Sequence, residues 1–144
     1  MEFYKEDYLL IEYEEEGACA VMRWGESPSS EQYREGNEKV LEALEQGDSP
    51  SILIDLQALN IIMSLSDQVW TAKEWLPKVL EKQVNKLAIV IPQSFVTQIA
   101  IKSIYGALPQ QEVNLGFFED FDEAKGWISE VPESSSASGS TDSW

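Results

Sequence analysis

The stretch SILIDLQALNIIMSLSD, residues 51–67, has the form of a strand, a loop and the start of a helix. Its first six residues contain an Ile-Leu-Ile run without alternation, which is typical of a strand covered on both faces of a sheet. Ser64 and Ser66 precede apolar residues at helical spacing, so each can accept a hydrogen bond from a free amide of the helix. A buried strand that leads into a helix indicates a strand–helix–strand crossover of an α/β fold.

On the N-terminal side of this stretch, the sequence predicts a hairpin and one helix. Residues 7–13, DYLLIEY, and residues 18–24, ACAVMRW, alternate as strands do, and their short connection favours an antiparallel pair. The helix has Ser29 as its N-cap and Gln32 as the capping-box partner three residues later. Gly47 stands where a helix commonly ends.

On the C-terminal side, the sequence predicts two more strands and three helices. A helix over residues 66–84 contains Pro77, which lacks a backbone donor and predicts a kink or a break. The remaining elements are a strand over 86–91, a helix capped by Ser94 that runs to residue 105, a strand over 113–118 and a short helix in FDEAKGWI. The order is therefore ββαβαβαβα, and its strand–helix–strand units require parallel neighbours with right-handed crossovers.

Composition predicts one domain over residues 1–131. Residues 132–144 lack apolar periodicity and are rich in serine, which predicts a disordered tail. The formal charge of −16 disfavours nucleic acid and anionic membrane surfaces as partners. No apolar run approaches the roughly 20 residues of a membrane span. Together with the absence of a recognisable signal peptide, this predicts a cytoplasmic protein.

The residue types present exclude several kinds of site. The chain contains no histidine, which removes Ser-His-Asp and Cys-His catalysis and histidine-bound metals. Its single cysteine, Cys19, rules out an intrachain disulfide and a cysteine-built zinc site. Cys19 lies in an alternating strand, where we expect a buried structural thiol. No glycine-rich phosphate loop is present, so we expect no nucleotide cofactor.

Two readings are open for the polar residues of the opening stretch. Asp55 ends a strand, where α/β proteins often place ligand-binding groups, so it is a candidate pocket residue. The structural alternative is that Asp55 accepts hydrogen bonds from loop amides and fixes the crossover. Ser64 and Ser66 are candidate switch residues, and the structural alternative is that they cap the helix.

Three apolar residues are candidates for a pocket or an interface. Trp70 and Trp75 are five positions apart, so they point to different sides of their helix, and one of them is expected near the surface. The segment SFVTQIAIKSIYG is apolar on several faces. Its pattern predicts that Phe95, Val96 and Ile99 face the sheet while Ile101 lies on another face, available for a homodimer or partner contact.

Taken together, the pattern ILIDL, a helix carrying QVW and WLP, then KLAIVIP and finally FFEDFDEAKGWI resembles the STAS-like proteins. These are small domains similar to bacterial anti-sigma-factor antagonists and to the cytoplasmic domains of sulfate transporters. The chain is most similar to the SpoIIAA-like branch, also labelled STAS/SEC14, over most of residues 7–130. The resemblance implies a mixed sheet of about five strands with helices mainly on one face. Regulated members carry a phosphorylated serine at the start of the second helix, usually in Asp-Ser-x-Gly. The matching region here is Met63-Ser64-Leu65-Ser66-Asp67, which lacks both that order and the glycine.

The resulting hypothesis is a non-enzymatic STAS-like interaction or regulatory module of a bacterial cytoplasm, which associates with itself or with a protein partner. The alternative hypothesis is a carrier of a lipid or another small apolar ligand on the same scaffold. An enzyme is the least favoured class, because no two side chains stand in an evident catalytic relation. No catalytic, cofactor-binding or metal-binding residue is therefore predicted.

Overall fold

Six strands form one mixed sheet whose spatial order is the order of the chain. The computed structural model describes residues 2–14, 19–61, 63–106, 108 and 112–129. The strands are β1 (Glu2–Glu6), β2 (Leu9–Glu14), β3 (Cys19–Trp24), β4 (Ser51–Asp55), β5 (Lys86–Val90) and β6 (Asn114–Phe118). Strands β1, β2 and β3 pair antiparallel, whereas β3 to β6 pair parallel. The predicted tail, 132–144, lies outside the described residues.

The helices follow strands β3 to β6 in the chain. They are α1 (Ser30–Gly47), α2 (Leu65–Trp70), a π-turn (Thr71–Trp75), α3 (Leu76–Glu81), α4 (Phe95–Tyr105) and α5 (Phe121–Ile128). When parallel strands follow one another in chain order, right-handed crossovers bring every connecting helix to the same face of the sheet. The main core accordingly lies between that face and α1, α3 and α4. Among the helices in the described ranges, α5, which follows the last strand, is the one that covers the opposite face, where it forms a smaller core with β3, β4 and β5.

This architecture confirms the predicted α/β class and adds a strand. The prediction of about five strands missed β1, which pairs with β2 at the edge of the sheet. Its residues are exposed or half-buried, so no apolar periodicity marks it in the sequence. It is held by the backbone ladder and by aromatic contacts: the Phe3 ring meets Tyr13 edge-on, and the Tyr4 and Tyr8 hydroxyls lie 2.6 Å apart. Cys19 is buried, as predicted.

Helix α1 begins and ends as predicted, with Gly47 as its last residue. Ser29 and Gln32 form the complete capping box. The residue that follows Gly47, Asp48, is the C-cap and has the left-handed conformation, with φ 50° and ψ 46°. Gly47 lies beside Tyr13, and a Cβ there would come within 2.5 Å of the Tyr13 ring. Close approach of helix and ring therefore accounts for this glycine.

The second helical segment is interrupted as the proline predicts. In the π-turn, the amide of Leu76 donates to the carbonyl of Thr71, five residues back. Pro77 follows within the first turn of α3, where a missing amide costs little. Helical backbone therefore continues from Leu65 to Glu81, with the π-turn directly before α3. Among the described helices, none combines the length and apolar content that a membrane span requires.

Candidate functional site

The N-terminal ends of α1 and α2 meet beside the loop that follows β4. Between them lies a pocket of about 200 Å³, lined by Pro28, Ser29, Ser30, Tyr33, Leu59, Ile61, Met63, Ser64 and Asp67. The carboxyl ends of parallel strands meet at this edge of the sheet, which is where α/β proteins commonly bind ligands. The predicted switch region therefore borders this pocket.

Asp67 joins the two helices at the floor of this pocket. Its buried carboxylate Oδ1 accepts a hydrogen bond from Ser30 Oγ at 2.8 Å and from Arg34 Nε at 3.0 Å. The other end of the Arg34 guanidinium, Nη2, lies 3.1 Å from Ser66 Oγ. The carboxylate is thus used in a contact between α1 and α2. Sequence reasoning missed this cluster, since its two sides are more than thirty residues apart.

Ser64 acts as the N-cap of α2. Its side chain accepts a hydrogen bond from the Asp67 amide at 3.1 Å, and its backbone is extended. A hydroxyl oxygen that accepts from a helix amide in this way stabilises the helix by about 1 kcal/mol. Ser66, in contrast, is exposed in the first turn and contacts Arg34. The capping interpretation therefore holds for Ser64, while Ser66 takes part in the contact between α1 and α2.

Behind the pocket, Tyr33 and Thr71 form a buried hydrogen-bonded pair. Their hydroxyl oxygens lie 2.6 Å apart, and Thr71 Oγ1 donates to the Asp67 carbonyl at 2.7 Å. Burial raises the pKa of Tyr33 to about 12, and the negative charge of Asp67 adds to this effect. The phenol therefore stays protonated at neutral pH and serves as a fixed polar wall, not as a base.

Asp55 lies on the opposite face of the sheet from this pocket, near α5. Its carboxylate accepts from the Gln57 amide at 3.0 Å, the loop contact that the structural alternative predicts. Arg23 on the neighbouring strand stacks over Phe121, 3.9 Å from the ring centroid, and its Nη1 lies 4.0 Å from the Asp55 carboxylate. Asp55 is thus engaged in fixing the end of β4 and is remote from Ser64.

The two tryptophans of the second helical segment differ in exposure, as expected. Trp75 is fully buried, and its Nε1 donates to the Asn37 carbonyl at 2.7 Å. Trp70 is half-buried beside α1, with the Arg34 guanidinium 5.1 Å from its ring. Both therefore contribute to packing between α1 and the second helical segment, and Trp70 alone reaches the surface.

The buried and exposed faces of helix α4 are the reverse of those predicted. Ile101 is fully buried in the main core, so the assignment of this residue to an outward face was wrong. Phe95, Val96 and Ile99, which were expected to face the sheet, are exposed instead. The reason is that apolar residues surround this helix, so spacing alone does not identify the inward side.

The exposed apolar residues of α4 have counterparts on the neighbouring helix α2. Helix α2 packs against α4 and exposes Leu65 and Val69. We call the surface formed by Leu65, Val69, Phe95, Val96 and Ile99 the α2–α4 patch. These five are all of the large apolar side chains that are exposed in the described part of the chain. Exposed apolar side chains that are concentrated on two adjacent helices commonly mark an interaction site.

The polar side chains at the pocket engage one another through hydrogen bonds. Within the described ranges, no three side chains of the metal-ligating types come close enough to hold an ion together. The Ser30–Asp67 pair resembles a nucleophile beside a base, but the same carboxylate oxygen also accepts from Arg34. The geometry therefore favours a structural role for these groups.

Comparisons of the chain with protein-family models, with curated proteins and with solved structures find no match. The resemblance of the sequence to STAS-like proteins therefore stays a prediction.

Proposed function

We propose that this chain is a non-enzymatic, STAS-like protein-interaction module and that it binds its partner through the α2–α4 patch. The observation that carries the proposal is the concentration of exposed large apolar side chains on this one surface. Elsewhere in the described ranges, large apolar side chains are buried or half-buried. A chain with a formal charge of −16 has ample polar surface for solubility, so an apolar surface of this kind favours a binding role.

The fold supports the STAS-like assignment at the level of architecture. Parallel strands in chain order with three crossovers on one face agree with what the resemblance implies. The start of α2, where regulated members of the family carry their switch serine, borders both the pocket and the α2–α4 patch. Ser64 is occupied as a helix cap, so the proposal does not require its phosphorylation.

A carrier of a small apolar ligand is the weaker alternative. The pocket of about 200 Å³ is smaller than the roughly 300–1,000 Å³ of typical ligand sites, and serines and Asp67 form part of its wall. The apolar segment between β4 and α2 is not uniformly turned towards the pocket: Met63 is buried, Leu65 is exposed, and Ile62 lies outside the described residues. These features favour an interaction surface over an apolar cavity.

Native mass spectrometry of the tagged chain, purified gently from its source organism, tests this proposal. We expect a stoichiometric protein complex with the wild-type chain. The complex should be lost with the double variant Leu65→Ser/Phe95→Ser, because both side chains are exposed in the free chain and their replacement should leave the fold intact. A wild-type chain that carries a bound small molecule and no protein partner would contradict the proposal and favour the carrier.

A further inference from the structure

We infer that the partner of the α2–α4 patch is a second copy of this chain, which binds by the same patch to form a symmetric dimer. This inference rests on the proposed function, since it names the occupant of the same surface. In a dimer with twofold symmetry, each patch is complementary to itself, so the exposed faces of α2 and α4 would pack against their own copies.

The distribution of charge points to this partner. The chain has 26 acidic residues among 144, so a stretch of 30 residues would hold about five on average. Residues 82–111, which contain all of α4, hold none, and residues 56–66, which lead into α2, also hold none. The one acid of α2, Asp67, is buried against Arg34. The α2–α4 patch is therefore built from the least acidic part of a strongly acidic chain.

Such a surface suits a like-charged partner. Two copies that each carry −16 repel one another, and they approach at the lowest cost through the surface that is poorest in acids. A surface that binds a basic protein usually has acidic residues around its apolar residues. Residues 56–66 and 82–111, which contribute to this patch, contain no acidic residue. The charge pattern thus favours a second copy over a basic protein.

The apolar area is adequate for a weak or moderate dimer. Leu65 is 74% exposed, Phe95 is 72% exposed, and the other three residues are 46% to 55% exposed. At roughly 150–200 Å² for a large side chain, the five expose about 500 Å². A stable interface buries about 800 Å² on each partner, so this patch supplies more than half of that area before its polar rim is counted.

Sedimentation equilibrium of the purified chain is the primary test. We expect a reversible dimer at micromolar concentrations. It should be tighter at about 0.15 M salt than at about 0.01 M, because the Debye length falls from ~30 Å to ~8 Å and screens the repulsion. The double variant Leu65→Ser/Phe95→Ser should dimerise at least ~100-fold more weakly, since each lost contact occurs twice in a symmetric interface.

A matched pair of charge variants separates the patch from net charge. Val96→Glu adds one negative charge within the patch, whereas Gln46→Glu adds one at an exposed position of α1 next to Gly47, which packs on Tyr13 of β2. We expect the first to weaken the dimer at least ~10-fold and the second to leave it nearly unchanged. Circular dichroism and the urea midpoint of each variant check that the fold is retained.

Cysteine cross-linking gives a second measurement. Cys19 is buried, so cysteines introduced singly at Leu65, Val96 and Ile99 can be oxidised selectively. At least one should form an intermolecular disulfide under mild oxidation, and Gln46→Cys should form none. A wild-type chain that is monomeric at high micromolar protein concentration, at both the low and the high salt concentration, would overturn the inference. A dimer that persists in both patch variants would overturn it as well.

The two proposals fail in different ways. A monomer in isolation that still forms a patch-dependent complex with another protein in the native purification refutes the dimer and leaves the interaction module standing. If neither sedimentation equilibrium nor the native purification detects a protein complex, both the dimer and the interaction module are refuted.

Discussion

Replacing Gly36 with alanine should destabilise the protein, although helix propensity predicts the reverse. On an exposed helix, this change stabilises by about 1 kcal/mol. At Gly36, a Cβ would lie 2.5 Å from Leu9 Cδ2 and 2.7 Å from the tip of the Trp24 ring. The Trp24 ring is buried between Tyr8 and Tyr33, with ring centroids 6.4 and 5.5 Å away, so it has little room to move. Overpacking of a filled core costs about 1–3 kcal/mol, which leaves a net loss of about 1 kcal/mol.

Urea denaturation followed by tryptophan fluorescence measures this change, and the chain provides a matched control. Gly126 is an exposed residue of α5, and a Cβ there would meet nothing within 4 Å, so Gly126→Ala should stabilise by up to about 1 kcal/mol. Adding Leu9→Val to Gly36→Ala should relieve part of the clash and give a favourable coupling of at least about 0.5 kcal/mol. If Gly36→Ala stabilised the protein as much as Gly126→Ala does, the close approach of α1 to the sheet would be refuted.

Three further predictions concern single residues. Asp48 has a φ of 50° and lies at the C-terminal end of α1, where the helix dipole is negative. Asp48→Gly should therefore raise the free energy of unfolding by about 1 kcal/mol, and Asp48→Asn should raise it by a smaller amount. If neither substitution raised it, this explanation would be contradicted. In thermal denaturation, Ser64→Ala should lower the free energy of unfolding by about 1 kcal/mol, whereas Ser64→Asp should leave it almost unchanged. If Ser64→Ala had no effect, the capping role would be disproved. The pKa of Tyr33 is about 12 in the folded protein and about 10 in the unfolded chain, so the protonated phenol stabilises the folded state. This contribution to the free energy of unfolding is fully present below pH 10 and is lost as the pH rises to 12. Tyr33→Phe should therefore flatten the fall of urea stability in that window by up to about 1.4 kcal/mol per pH unit, and parallel profiles would argue against it.

Elements with local signals were predictable from the sequence. The capping box at Ser29 and the caps at Ser64 and Ser94 each involve a residue only three positions away. The first residues of these helices could therefore be predicted from local sequence. Strand β1 was not predictable in this way, because its stability comes from pairing with β2 and not from its own apolar pattern. The inward face of α4 was mistaken, because only the position of the sheet decides that Ile101 and not Ile99 is covered.

The sequence supplied candidate residues for a site but not their arrangement. The start of α2, with Ser64, borders the pocket, whereas Asp55 lies on the other face of the sheet beside Gln57 and Arg23. The contact of Arg34 with Asp67 joins α1 to α2 and has no periodic signature. One signal was present: the chain has two arginines, and each lies near a buried aspartate and over an aromatic ring. Composition alone does not indicate which acid each arginine selects.

The chain-ordered sheet has a consequence for how the molecule assembles during synthesis. Every strand from β2 to β6 pairs with the strand that the ribosome delivered immediately before it. The sheet can therefore grow outward from the N-terminal hairpin, one crossover at a time, and no strand has to be inserted between two that have already paired. Each closure spans only one loop or one helical connection, which keeps its entropic cost low. The growing edge always presents the most recent strand, until β6 and α5 complete the sheet.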